Sequence, residues 1–115
     1  MKTVFNIIML IVLVYSCGVY ADCVNNQAGN VVCGGGQCEI DQYGKVYCAE
    51  PGGGAIRDQY GNVLCGIGYC AKDDLSQVWC SNKPGGGAAT DSHGKVKCLD
   101  GCAPGKAKLC QEAKG

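Results

Sequence analysis

Past residue 21 this 115-residue chain has no Phe, one Trp, one His and only 14 Leu, Ile and Val residues in 94 positions. So thin an aliphatic inventory falls below what a chain usually buries to offset its folding entropy, and one large hydrophobic core is not expected. Charge of one sign is missing as well. Ten Lys and Arg face ten Asp and Glu, with no run of either, which argues against a nucleic-acid surface and against cationic attack on membranes. The same 94 residues hold no second apolar stretch that would span a bilayer once the leader is removed. They hold no Asn-x-Ser/Thr acceptor for N-glycosylation. Cys-x-x-Cys pairs are absent too, which removes the usual zinc spacing. His93 is the single His, and no Ser, Cys or carboxylate constellation accompanies it, so neither catalysis nor a cofactor is expected.

What is present begins with a leader. Lys2 supplies a basic start, Val4 to Tyr15 is apolar apart from Asn6, and Val19-Tyr20-Ala21 offers a cleavage site, so residues 1–21 read as a secretory signal peptide. A lipoprotein box at Val14-Tyr15-Ser16-Cys17 fits poorly at Tyr15. Removing Cys17 with the leader leaves ten of the 11 cysteines, an even number, at about one residue in nine. That density marks a disulfide scaffold in an oxidising compartment and places the protein outside the cell.

The cysteines sit on a repeat. Cys33, Cys38 and Cys48 recur as Cys65, Cys70 and Cys80, each shifted by 32, and less regularly as Cys98, Cys102 and Cys110. Pro51-Gly52-Gly53-Gly54-Ala55 and Pro84-Gly85-Gly86-Gly87-Ala88 divide residues 22–115 into units of about 22–50, 51–83 and 84–115. Within the units, Asp41-Gln42-Tyr43-Gly44-Lys45-Val46-Tyr47-Cys48 has near copies ending at Cys65 and Cys98 and looser ones ending at Cys33 and Cys80. Each predicts a type I turn, a Gly in the left-handed bulge position and a strand ending on cysteine. Ser76 replaces that Gly in one copy and is expected to be strained.

The register then opposes Cys23 to Cys33, Cys38 to Cys48 and Cys70 to Cys80, within disulfide reach. Ala55 and Ala88 stand opposite Cys65 and Cys98, which therefore lack internal partners. The preferred scheme adds Cys65–Cys98 between units and Cys102–Cys110 in the last one. A rival scheme closes Cys33–Cys38, Cys65–Cys70 and Cys98–Cys102 across short links. The expected fold is all-β, small and disulfide-rich: up to six short hairpins in a small sheet or solenoid-like array. Residues 103–113 have a short terminal helix as an option, although Pro104 and Gly105 favour a turn.

Side-chain alternation puts Val and Cys of each Val-x-Cys on one face and Val32, Tyr47, Leu64, Trp79 and Lys97 on the other, with Leu109 a further candidate. That second stripe is either a binding surface or the packing between hairpins. Tyr43, Tyr60 and His93 recur just before the turn glycine, where a Tyr can stack on a sugar or a protein or simply cover the adjacent strand. The binding candidates are therefore Tyr43, Tyr60, Trp79 and Tyr47. The Asp41, Asp58, Asp73 and Asp91 series lacks the nonapeptide rhythm of calcium solenoids, and a turn-starting Asp already accepts backbone N–H bonds. No metal is assigned.

Asn30-Val31-Val32-Cys33-Gly34-Gly35-Gly36-Gln37-Cys38, with the Pro-Gly-Gly-Gly-Ala joints, resembles small secreted cysteine- and glycine-rich repeat proteins of insects over nearly all of residues 22–115. The resemblance implies secretion from salivary, venom or reproductive glands and carries no site residues. The expected role is non-covalent binding to an extracellular protein or glycan, as a glandular effector or toxin-like protein. Two alternatives are a coating component of cuticle, silk or eggshell and a protease inhibitor presenting a hairpin tip near Tyr43, Tyr60 or Lys72.

Overall fold

The computed structural model describes residues 22–113, so the leader lies outside the described residues. Five antiparallel hairpins follow one another: β1 (Asp22–Asn25) with β2 (Val31–Gly34), β3 (Cys38–Ile40) with β4 (Val46–Ala49), and β5 (Ala55–Arg57) with β6 (Val63–Cys65). The last two are β7 (Cys70–Lys72) with β8 (Val78–Ser81) and β9 (Ala88–Thr90) with β10 (Val96–Cys98). Their registers oppose Cys23 to Cys33, Cys38 to Cys48, Ala55 to Cys65, Cys70 to Cys80 and Ala88 to Cys98. The fold is all-β and disulfide-rich.

Local chemistry builds each hairpin. The Asp41 carboxylate accepts the backbone N–H groups of Tyr43 and Lys45, both at 2.9 Å, while Gly44 N–H closes the turn on the Asp41 carbonyl at 3.1 Å. Asp58, Asp73 and Asp91 do the same in their own turns. Gly44 and Gly61 take φ of 83° and 84°, and Ser76 is held at φ 62°, a left-handed conformation that costs a residue with a Cβ of order 1 kcal/mol.

The hairpins stack face to face. Val32 of the first is buried with Cys38, Val46 and Cys48 of the second. Ala49 of the second is buried with Ala55, Val63 and Cys65 of the third, with Tyr47 packed against them. The Val-x-Cys faces of the second, third and fourth hairpins are thus buried, and that of the fifth is only partly so. The first hairpin has no predecessor, and its Val31 is 63% exposed, against 3% for Val46.

Close approach dictates the residue after each strand cysteine. A Cβ on Gly34 would overlap Cys48 and the Cys38 sulfur, and one on Gly66 would overlap Cys80 and the Cys70 sulfur. Glycine therefore precedes each hairpin with an internal disulfide in the second and fourth places. Where the next hairpin has an Ala–Cys pair instead, Ala49 and Ser81 take the room. Backbone bonds at the hairpin bases tie the stack together: Gln37 N–H to Gly53 O, Gly54 N–H to Gly68 O, and Tyr69 N–H to Gly86 O. The two Pro-Gly joints are turns that bond to each other, Gly85 N–H to Gly52 O at 2.8 Å.

Two expectations are corrected. The segment after Cys98 is not a sixth hairpin. It runs back across the stack as a strap: β11 (Cys102–Pro104) pairs with β8, Lys106 bridges Cys65, a 3₁₀ turn covers Ala107–Leu109, and β12 (Cys110–Glu112) pairs with β4. A returning strand satisfies the outer backbone groups of those edges, which a terminal helix or isolated turn would leave to water. The pairing of the remaining four cysteines changes accordingly. Cys23–Cys33, Cys38–Cys48 and Cys70–Cys80 close within hairpins, whereas Cys65 pairs with Cys110 and Cys98 with Cys102. Cys65–Cys98 and Cys102–Cys110 do not form, because the strap carries Cys110 to β6.

Gly66→Ala is expected to destabilise the oxidised protein by about 1–3 kcal/mol in denaturant unfolding. Gly87→Ala, whose added methyl meets nothing within 4 Å, should change it by less than about 0.5 kcal/mol. A non-reducing digest should join the Cys65 and Cys110 peptides. Removing that link in Cys65→Ala/Cys110→Ala, a loop of 45 residues, should lower stability by up to about 4 kcal/mol in the chain-entropy model.

Candidate functional site

Every hairpin tip points away from the joints, since an antiparallel pair begins and ends at the same end. Tyr43 and Tyr60 are exposed there, at 72% and 69%. His93 is exposed at the corresponding position of the fifth tip. Leu75, 69% exposed, fills the same place in the fourth hairpin. Alignment of Asp73-Asp74-Leu75-Ser76 with Asp58-Gln59-Tyr60-Gly61 carries the signal for Leu75, but the substitutions conceal it. Successive tips touch: Gly44 lies against the Gln27 side chain, Gly61 against Gln42, and Gly94 against Asp74.

Between the tips and the strap run three grooves built from equivalent positions. The first, about 250 Å³, is lined by Asp41, Tyr47, Leu64 and Cys110 among others. The second, about 420 Å³, has Asp58, Tyr60, Leu64, Trp79 and Pro104. Asp73, Leu75, Trp79, Lys95 and Cys102 belong to the third, about 400 Å³. Each contains the Asp that starts a turn, the middle residue of a Val-x-Cys strand, the next hairpin and a residue of the strap. Leu64 is common to the first and second, and Trp79 to the second and third, so the grooves form a row, a trough divided by shared walls.

The stripe Tyr47, Leu64 and Trp79 takes part in the packing between hairpins and also faces the grooves. These side chains are half-buried between hairpins, and their remaining surface lines the trough. Val32 differs, being 2% exposed and wholly committed to packing. Tyr60 and Trp79 line the second groove together and Tyr47 lines the first, while Tyr43 stands at a tip outside the lining of these grooves. Leu109 packs against the buried cluster around Cys65. The trough itself was hidden from sequence reading because one wall is the strap, whose course depends on contacts far apart in the chain.

Electrostatics at the trough come from carboxylates. Asp73 Oδ1 accepts Leu75 N–H and Gln77 N–H, and Oδ2 accepts the Trp79 indole Nε1–H at 3.0 Å. The Trp79 bond foremost, with the two backbone bonds, holds its pKa below the ordinary carboxylate value against the opposing effect of desolvation. Asp91 is lowered chiefly by the Lys95 N–H, with His93 N–H and the charges of Lys97 and Lys95 assisting. Among the described residues all ten cysteines are in disulfides, and no group of three or more His, Cys, Asp and Glu is placed to hold a metal ion. The arrangement offers hydrogen-bond acceptors beside apolar and aromatic walls, which is chemistry for holding a ligand.

No protein-family model matches the chain, and no curated protein or solved structure shows significant similarity to it.

Because Asp73 has a lower pKa folded than unfolded, its ionised form stabilises the fold fully above the ordinary carboxylate pKa of about 3.9. That contribution is lost as pH falls through the lower folded value. Trp79 emission should report this acid transition, and Asp73→Asn should lack it. A transition at or above the ordinary value, or one retained in the variant, would contradict the assignment.

Proposed function

We propose that this is a secreted, disulfide-stapled repeat protein that acts outside the cell by non-covalent binding, as a glandular effector, with the trough as its ligand-binding face. The observation that carries the reading is the adjoining set of three grooves lined by equivalent residues of successive hairpins. Packing alone does not call for partly open aromatic walls repeated in this way. Secretion is supported by the leader-like residues 1–21 and by five disulfides among 92 described residues, a cross-link density suited to an oxidising compartment. The stapled stack also pre-orders the walls, so little side-chain and loop ordering opposes binding.

The test presents oxidised residues 22–115 to an extracellular protein fraction and to a panel of immobilised glycans. Wild type is expected to retain a ligand that Trp79→Phe and Tyr60→Ala hold about 10-fold more weakly, a loss of ~1.4 kcal/mol. Both variants should keep wild-type disulfides and circular dichroism. Undiminished retention by both would exclude the trough, and loss on Tyr43→Ala alone would move the site to the tips.

A further inference from the structure

We propose that the trough takes an extended, neutral β-1,4-linked glycan chain. This inference rests on the binding role proposed above and names the class of ligand. Repetition is the first ground. The trough offers one groove per step of the stack, with Leu64 and Trp79 as shared walls, so a ligand that fills it is linear and repeats its own chemistry. A compact ligand would occupy one groove and leave its neighbours without a role.

The second ground separates a polysaccharide from a peptide. Extended peptides gain most of their affinity by adding a strand to a free sheet edge. The edges of β4, β6 and β8 beside the trough are already taken, and only β10, at the third groove, has no strand on its outer side. The strap pairs with β8 and β4, and Lys106 exchanges backbone bonds with Cys65 of β6 at 2.9 and 3.1 Å. Gly105 N–H bonds Val78 O and Ala113 N–H bonds Val46 O, completing the coverage. Along the first two grooves, side chains are what remain to recognise a ligand.

Those side chains suit a pyranose with equatorial substituents, which has apolar C–H faces and a rim of hydroxyls. Tyr47, Tyr60, Leu64 and Trp79 supply apolar walls on which such faces can lie. At Asp41 and Asp58, Oδ1 is held by two backbone N–H groups, while Oδ2 accepts no hydrogen bond among the described residues. Each therefore keeps a carboxylate oxygen for a sugar hydroxyl, a charge-assisted bond. The charge balance of the lining selects further. Asp41, Asp58, Asp73 and Asp74 face a single Lys95, so sulfated and uronate chains are repelled. A straight β-1,4 chain follows the row of grooves, whereas an α-1,4 chain coils away from it.

Trp79 is the chain's only tryptophan and lines two of the grooves, so its emission reads occupancy directly. Oxidised residues 22–115 are titrated with cellohexaose and chitohexaose, which distinguish glucose from N-acetylglucosamine units, and with the two disaccharides, maltohexaose and a hyaluronan hexasaccharide. One or both β-1,4 hexamers are expected to shift the emission and to bind at least about 10-fold more tightly than their disaccharide, because they engage several grooves at once. Maltohexaose and hyaluronan are expected to be silent. Tyr60→Ala, on an exposed side chain that leaves packing intact, and Leu64→Ser are each expected to weaken hexamer binding by about 10-fold. Silence of both β-1,4 hexamers in emission and calorimetry at millimolar concentration, or equal binding of disaccharide and hexamer, would overturn the glycan assignment. A protein ligand lost on the same substitutions would then leave the binding role standing. Failure of every ligand to respond to those substitutions would overturn both.

Discussion

The constraint on which the structure depends is how closely two hairpins can approach. A two-stranded hairpin has too little surface to make a core of its own. Here the Val-x-Cys face of one hairpin becomes interior only when the preceding hairpin closes over it, and the disulfide is part of that interior. Glycine at 34 and 66 lets backbone lie directly on sulfur, while Ala49 and Ser81 occupy the space left where Ala55 and Ala88 replace a cysteine. Alternation of Gly with Ala or Ser thus matches alternation of stapled with unstapled hairpins. Side-chain volume, rather than aliphatic content, sets the order of the stack.

Stacking of this kind lets a chain so poor in Leu, Ile and Val hold fixed grooves on its surface. The strand centres Tyr47, Leu64 and Trp79 are partly buried between hairpins, and Asp73 further fixes the indole of Trp79 through its second oxygen. The tip aspartates are fixed by two backbone N–H groups each. Residues that line the trough are therefore the same residues that hold turns and stack together, so the proposed recognition would draw on positions already immobilised by folding.

What could be read from the sequence was local. The turn, the positive-φ glycines and the opposition of Cys38 to Cys48 all follow within eleven residues, where a hairpin register is decided by its own loop. Ala55 and Ala88 correctly singled out Cys65 and Cys98 as lacking hairpin partners. Cys98 pairs locally with Cys102, as the rival scheme had it, but nothing local showed where the partner of Cys65 lies, because Cys65–Cys110 spans 45 residues and depends on the strap crossing β8 before it reaches β6. The same long-range course built one wall of the trough, so Trp79, Tyr47 and Tyr60 were identifiable as candidates, but the grooves they line were not. Leu75 escaped notice because Ser76 breaks the glycine pattern that marks its tip.

The strap also gives the molecule a direction in time. A ribosome delivers the five hairpins in order, and three of them can close their disulfides as soon as their own two strands have emerged. Cys65 cannot do so. Its partner is made 45 residues later, after every hairpin has been released. Until then its thiol is available for exchange with earlier cysteines, and the outer edges of β4, β6 and β8 lie bare. Among the described residues Cys65 is thus the cysteine that waits longest for its partner in the order of synthesis, and the strap that brings Cys110 is also the segment that covers the outer edges of β4, β6 and β8.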